Sequence, residues 1–276
     1  MPSAVVCEGE TFTIAPNRTV IVTNKSLGQG SFGIICEGLM DGGKGVAVKK
    51  FTDLKNGQSQ AAREISGMEK LGDPNSADYS PYVVKMYGRT GGSDTPLRIV
   101  YELAGVDSLD NRIEKATFAE KIGWVRDILD GLRWVHGKGV AHGDISDQNI
   151  LIAPVGGSSQ AKIIDLGEWG EISDQEKRET DYIRIRKLLG IYMFDDLPDE
   201  VDDAAAYLKE KARIEGFNLT DEQATGMAEV FDSLINDPPP GASEVAKFDE
   251  EKLNAFKKAA DVVLKAGDSL RTPVFM

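Results

Sequence analysis

The chain reads as an α+β protein of two lobes: a small strand-rich amino-terminal lobe carrying one helix, and a larger helical carboxy-terminal lobe. Two patterns predict this. Short β-branched and apolar runs bounded by glycine dominate up to about residue 103, and apolar residues spaced three and four apart dominate from about residue 117. The division assigns residues 1–16 to an amino-terminal extension, 17–103 to the first lobe and 104–276 to the second, with the connection near Ala104 to Ser108.

In chain order, Thr19 to Val22, Ile34 to Leu39 and Gly45 to Phe51 read as strands. A helix follows, because Ala61, Ile65, Met68 and Leu71 recur on one face. Val83 to Tyr87 and Leu97 to Leu103 read as two further strands. Thr117 and Glu120 form a capping box ahead of a long helix whose apolar face is Ile122, Val125, Ile128, Leu129, Leu132 and Val135. Ile150 to Ala153 and Ala161 to Ile164 are a strand pair around a glycine-rich turn. Beyond residue 178 the pattern is helical, with a cap at Thr220 and Gln223, a break at Pro238 to Pro240, and a last helix from Asp249 to Leu264.

At 276 residues the chain is long enough for two lobes around a cleft. The net charge of −13 argues against duplex nucleic acid or an anionic membrane surface as partner, since both reward clustered Lys and Arg. The two cysteines, Cys7 and Cys36, are too few for a disulfide framework and fit a reducing compartment. With no basic start and apolar run at the amino terminus, a cytoplasmic location is expected. That includes a host cytosol, since a signal for an injection machine need not look like a secretory one.

Four short segments carry chemistry. Gly28, Gly30 and Gly33 lie between two strand-like runs, where a hairpin backbone can approach a polyphosphate and offer it N–H groups. Lys49 ends the apolar run Val46-Ala47-Val48, and Glu64 on the next helix can hold it toward phosphates, with Glu69 as the rival carboxylate. His142-Gly143-Asp144-Ile145-Ser146-Asp147-Gln148-Asn149 follows a long helix. Its aspartate can accept the proton of an attacking hydroxyl, and its asparagine can give a metal a neutral oxygen. Asp165 ends the apolar Ile163-Ile164 ahead of Gly167, a place from which a carboxylate can bridge metal and phosphate.

From about residue 24 to about 196 these segments resemble the protein-kinase superfamily. The resemblance implies a two-lobed kinase fold, ATP as donor and Mg2+ as cofactor. It implies Gly28, Gly30, Ser31, Phe32 and Gly33 over the phosphates, with Lys49 and Glu64 paired beneath them. Tyr101 would be the gatekeeper, Glu102 and Ala104 would meet adenine through their backbones, and Ile35, Ala47 and Leu151 would enclose the nucleotide. Asp144 takes the base position, and Asn149 and Asp165 take the metal positions.

Three departures place the chain among atypical, minimal kinases similar to bacterial effector kinases. Gly143 stands where regulated kinases have arginine, Ser146 stands where serine/threonine kinases have lysine, and about 13 residues separate Gly167 from Asp181, with no Ala-Pro-Glu. The expected activity is transfer of the γ-phosphate of Mg-ATP to a protein Ser/Thr hydroxyl. The alternatives are a small-molecule kinase of the aminoglycoside or choline phosphotransferase type, and an ATPase-like kinase that needs a partner. A protein substrate and an activating protein are the expected partners besides ATP. Because Gly143 offers no charge to a loop phosphate and the segment is short and acidic, activity is expected to be independent of loop phosphorylation.

Overall fold

A computed structural model describes residues 7–30, 32–51, 56–90, 97–105, 107–194, 197–198, 200–233 and 250–271. Strands β1 (Glu10–Ile14), β2 (Arg18–Gly30), β3 (Gly33–Met40), β4 (Lys44–Phe51), β5 (Met86–Arg89) and β6 (Arg98–Glu102) form one antiparallel sheet in the order β1-β2-β3-β4-β6-β5. Period-two patterning decides which face is buried: Val20, Val22, Cys36, Val46, Val48 and Val100 are each 1% exposed or less. Helix α1 (Asn56–Lys70) packs on the other side through Ala61, Ile65 and Met68.

Three expectations change. The stretch read as an extension contains β1, which pairs along β2 and becomes an edge of the sheet. Cys7 and Cys36 form a disulfide with a Cα–Cα separation of 5.6 Å. They lie 29 residues apart in sequence. Sheet register, not sequence spacing, brings the segment ahead of β1 back to β3. The run at Val83 to Tyr87 enters the sheet only from Met86. Before that, Val84 N–H donates to the Ile163 carbonyl at 2.9 Å and Ile163 N–H donates to the Tyr82 carbonyl at 2.8 Å. These backbone groups face the second lobe, so they bond there instead of to β6.

After the two-residue strand β7 (Asp107–Ser108) and the single turn α2 (Leu109–Arg112), the second lobe is built on α3 (Phe118–Gly137). Thr117 caps α3 as a full capping box with Glu120. Ile122, Val125, Ile128, Leu129, Leu132 and Val135 are all completely buried. Next come β8 (Val140–Ala141), the hairpin β9 (Ile150–Val155) and β10 (Ser158–Ile163), and β11 (Gly170–Glu171), which pairs with β8. Helices α4 (Gln175–Lys187), α5 (Val201–Ile214), α6 (Asp221–Ser233) and α7 (Glu250–Arg271) complete the lobe, with a π-helical turn Leu188–Met193 after α4. The Thr220–Gln223 cap forms at the start of α6, whereas Pro238 to Pro240 and Asp249 lie outside the described residues. One continuous apolar core runs from α1 through Tyr79, Ile99 and Tyr101 into the helices of the second lobe. Among the described residues no helix is long and apolar enough to cross a membrane.

Asp127 of α3 is 2% exposed and accepts the N–H of Ala161 at 3.0 Å, satisfying a donor on the outer strand of the β9–β10 hairpin. Burial pushes its carboxyl up to about 7, against the Ala161 hydrogen bond and Arg126, which favour the charged form. The folded chain therefore holds this proton more tightly than the unfolded chain. The resulting stability is full below the ordinary pKa of 3.8 and is lost as pH rises through about 7. Asp127→Asn keeps an oxygen acceptor for Ala161 and cannot ionise. Chemical denaturation at pH 5 and pH 8 is expected to show wild-type stability falling relative to this variant as pH rises. A gap that stays constant across that range refutes the assignment.

Candidate active site

The cleft between the lobes has a volume of about 470 Å³. Its roof is the β2–β3 hairpin, where Gly28 faces Ile35 and Gly30 faces Gly33 in register. Leu27, Gly28, Gln29, Gly30, Ile35 and Ala47 line it from above, and Leu151 and Ile164 line it with Asn149 and Asp165. Ser31 lies outside the described residues. Phe32 is 41% exposed at the hairpin tip, and neither it nor Gly33 is part of the cleft wall. Glycine at 33 answers a different demand: a Cβ there would sit 2.2 Å from the Lys50 carbonyl oxygen of β4.

Strand alternation turns Lys49 inward and Lys50 outward, where Lys50 meets Glu10 at 3.0 Å. The Lys49 ammonium lies 2.7 Å from Glu64 Oε2 and 3.1 Å from Asp165 Oδ2. Glu69 lies on the surface near Arg89, at 3.8 Å. The Tyr101 hydroxyl donates to Glu64 Oε1 at 2.5 Å, so both oxygens of a carboxylate 1% exposed are engaged. Burial works to lower the Lys49 pKa, but Glu64 and then Asp165 overcome it and hold the ammonium above its usual range. Burial pushes Glu64 up against the pull of Lys49 and Tyr101, and burial with Glu64 drives the Tyr101 phenol well up. Asp165 is also opposed by burial, yet Lys49 and the Gly167 N–H hold it below the ordinary aspartate value.

The connection between the lobes lines one end of the cleft. Glu102 lines the cleft and commits its N–H to the Lys85 carbonyl at 2.8 Å and its carboxylate to Lys162 at 2.7 Å. Ala104 and Gly105 also line the cleft. Gly105 has φ +153°, and a Cβ there would come within 2.7 Å of the Ile152 carbonyl oxygen.

The loop after β8 is held from beneath. Asp181, fully buried on α4, accepts the N–H groups of His142 and Gly143, each at 2.7 Å, and meets His136 Nε2 at 2.8 Å. His142 Nδ1 accepts from Asp144 N–H at 3.2 Å while its Nε2 faces the Ile164 carbonyl at 2.9 Å, which assigns the ring proton to Nε2. Asn149 Nδ2 donates to the Asp144 carboxylate at 2.8 Å and to its carbonyl at 2.9 Å. The amide oxygen of Asn149 is thereby left as its acceptor end. Asp165 takes a left-handed backbone at φ +64°, a sparsely populated conformation that aims its carboxylate at Lys49. The Asn149 amide oxygen and the Asp165 carboxylate are hard oxygen donors on one cleft wall, a set that fits magnesium.

Several participants escaped the sequence reading. Asp110, Asn111 and Gln148 line the cleft without a local motif. Arg184 of α4 makes an ion pair with Asp144 Oδ1. Trp169 is an aromatic residue set among charged ones, Glu168 and Glu171. Its indole N–H donates to the Arg63 carbonyl at 2.7 Å, and Arg63 returns a bond to the Trp169 carbonyl at 3.1 Å. Gln60 reaches the Gly167 carbonyl at 3.1 Å and Lys70 pairs with Glu171 at 2.7 Å. The segment after Asp165 is thus stapled to α1, the helix that carries Glu64. Gly143 has a steric reason too, since at φ +79° a Cβ would sit 2.2 Å from the Glu168 carbonyl oxygen. Asp181 sits in mid-helix, because α4 begins at Gln175 with Asp174 as its cap.

The hairpin roof, the Lys49–Glu64 pair and the Asp144–Asn149 loop facing Asp165 meet around the cleft between the two lobes. Residues 21–185 match the protein kinase domain, and the chain belongs to that family. It is similar to mitogen-activated protein kinase kinase kinase 1 of Arabidopsis thaliana, 32% identical over 57% of this chain and 26% of that protein. It is similar to serine/threonine-protein kinase cst-1 of Caenorhabditis briggsae, 33% identical over 56% of this chain and 30% of that one. Calmodulin-binding receptor-like cytoplasmic kinase 3 of Arabidopsis thaliana is 31% identical over 51% of this chain and 28% of its own length. The matches span about a quarter to a third of these relatives.

Removing the staple should loosen Glu64 and, through it, Lys49. Trp169→Ala is expected to weaken binding of a non-hydrolysable ATP analogue with magnesium about tenfold, or about 1.4 kcal/mol, by isothermal titration. Unchanged affinity in a folded variant would show that α1 holds its place without the segment.

Proposed function

We propose that this chain transfers the γ-phosphoryl group of Mg-ATP to a serine or threonine hydroxyl of a protein. The observation that carries this reading is the convergence of Lys49, Glu64, Asn149 and Asp165 on one cleft, with Asp144 bonded to Asn149, from four separate segments of the chain. The serine/threonine specificity is drawn from relatives that carry it in their names.

In the proposed reaction Lys49 and the N–H groups of the hairpin roof orient the phosphates, while Glu64 and Tyr101 hold Lys49 in place. Asn149 and Asp165 are the residues that would hold magnesium, which supplies charge neutralisation to the phosphates when bound. Asp144, its carboxylate fixed by Asn149, orients the acceptor hydroxyl and takes its proton. The full site and the stapled α1 support a kinase that is competent without a loop phosphate. Tyr182 is 6% exposed against His136 and is not presented for modification, whereas Thr180 is half-buried, its hydroxyl donating to the Glu176 carbonyl at 2.8 Å.

Labelled Mg-ATP with a generic protein substrate, a panel of small alcohols and an Asp144→Ala control tests the reading. Label is expected on protein serine and threonine and absent in the control. Label only on a small alcohol would favour a small-molecule kinase, and phosphotyrosine alone would refute the acceptor assignment. Lys49→Ala and Asp165→Ala are each expected to lower kcat by at least about 100-fold, the scale of one lost electrostatic element, or about 3 kcal/mol. Circular dichroism should show both variants folded. Phosphatase treatment, or Ser173→Ala, Thr180→Ala and Tyr182→Phe combined, is expected to change the rate by less than about tenfold.

A further inference from the structure

We propose that Arg184 is a catalytic residue, the cation that meets the transferring phosphoryl group from the acceptor side of the cleft. The inference rests on the phosphotransfer reading above. Among the described residues lining the cleft Lys49 is the one basic side chain, and it is engaged by Glu64 and Asp165. The far end of the site, where the acceptor must lie, carries the carboxylates of Asp144 and Asp165 and no cation from the catalytic loop, where Ser146, Asp147 and Gln148 are uncharged or acidic. A phosphoryl group moving toward Asp144 brings further negative charge to this end. Arg184 answers it from outside the loop, with its guanidinium Nη1 on Asp144 Oδ1.

The placement is rigid at its base. Arg184 lies three residues after Asp181, whose carboxylate bonds α4 to the backbone of His142 and Gly143. These bonds fix the backbone that carries Arg184 against the loop that carries Asp144. The pair adds little to stability, because the side chains of Arg184 and Asp144 are 42% and 37% exposed. A planar guanidinium carries several N–H donors, so one can stay on Asp144 while others reach a phosphoryl oxygen.

The chemistry makes that contact strongest when it matters. The bond from the γ-phosphorus to its bridging oxygen breaks, and its electron pair stays on ADP. The acceptor oxygen bonds to phosphorus, and its proton passes to Asp144. As Asp144 takes the proton it loses the charge that held Arg184, and the guanidinium is left facing the equatorial phosphoryl oxygens. Its attraction to the substrate thus rises from ground state to transition state, which is the condition for raising kcat.

The test compares wild type, Arg184→Ala, Ser146→Lys and Ser146→Lys/Arg184→Ala with labelled Mg-ATP and the generic protein substrate. Arg184→Ala is expected to lose about 100-fold in kcat with KM for ATP within about threefold and an unchanged melting temperature. The lysine at 146 returns a cation from the loop side and is expected to recover at least about tenfold of that loss in the double variant, a rescue that a purely structural role for Arg184 would not allow. A kcat that is unchanged or raised in Arg184→Ala would overturn the inference, the second outcome marking the ion pair as a latch over Asp144. Loss that the lysine leaves unrepaired would overturn it as well. An inactive wild-type protein would instead bring down the phosphotransfer reading and this inference with it.

Discussion

A buried ammonium must have a counter-charge, and the arrangement of this molecule follows from where Lys49 finds its own. Its partners are Glu64 on α1 and Asp165 after β10, at 2.7 and 3.1 Å, so a single cation ties together the sheet, its helix and the second lobe. Glu64 meets that charge from a side chain 1% exposed, and Asp165 meets it from one 36% exposed toward the cleft. The sheet places Lys49 by alternation, and the helix must then be held close enough for Glu64 to reach it. Tyr101 does this from the strand side, and Trp169, Gln60 and Lys70 do it from the segment after Asp165. The segment after Asp165 is joined to α1 by reciprocal hydrogen bonds and by a tryptophan packed on Gly67.

The second lobe is organised around an opposite charge. Asp181 is fully buried and is satisfied by two backbone N–H groups and a histidine. Through it α4 carries the catalytic loop, and the loop carries Asp144 and Asn149. Gly143 is the hinge of this economy of space: its positive φ lets its own N–H turn to Asp181, and its missing Cβ admits the Glu168 backbone. A residue that in sequence registers as a missing arginine is, in three dimensions, the place where two backbones pass. The same holds for Gly33, which admits the Lys50 carbonyl of the neighbouring strand and does not itself line the cleft.

Much of the site could be read from one dimension because its parts are local in character. Lys49 follows Val46-Ala47-Val48 in β4, Asp144 and Asn149 share one loop, Asp165 follows the end of β10 by two residues, and Thr117 caps its own helix. Each is fixed by a spacing of a few residues, so order and spacing along the chain were enough to name it. Glu64 could be chosen over Glu69 only by helical phase, because α1 buries the one and exposes the other.

Sequence alone therefore determined the two-lobed α+β class and named Lys49, Glu64 and Asp165, which the fold brings together at the candidate site. The tertiary structure decided everything that depends on register between distant elements. It paired Cys7 with Cys36 across a sheet, turned Val83 and Val84 from the first sheet toward β10, recruited β1 as an edge strand, and stapled Trp169 to α1. It also set Arg184 against Asp144, 40 residues away in the chain. The physical reason is common to all of these. Local hydrogen bonding and patterning act over a few residues, whereas long-range partners are selected by whichever packing leaves the fewest buried charges and N–H groups unsatisfied.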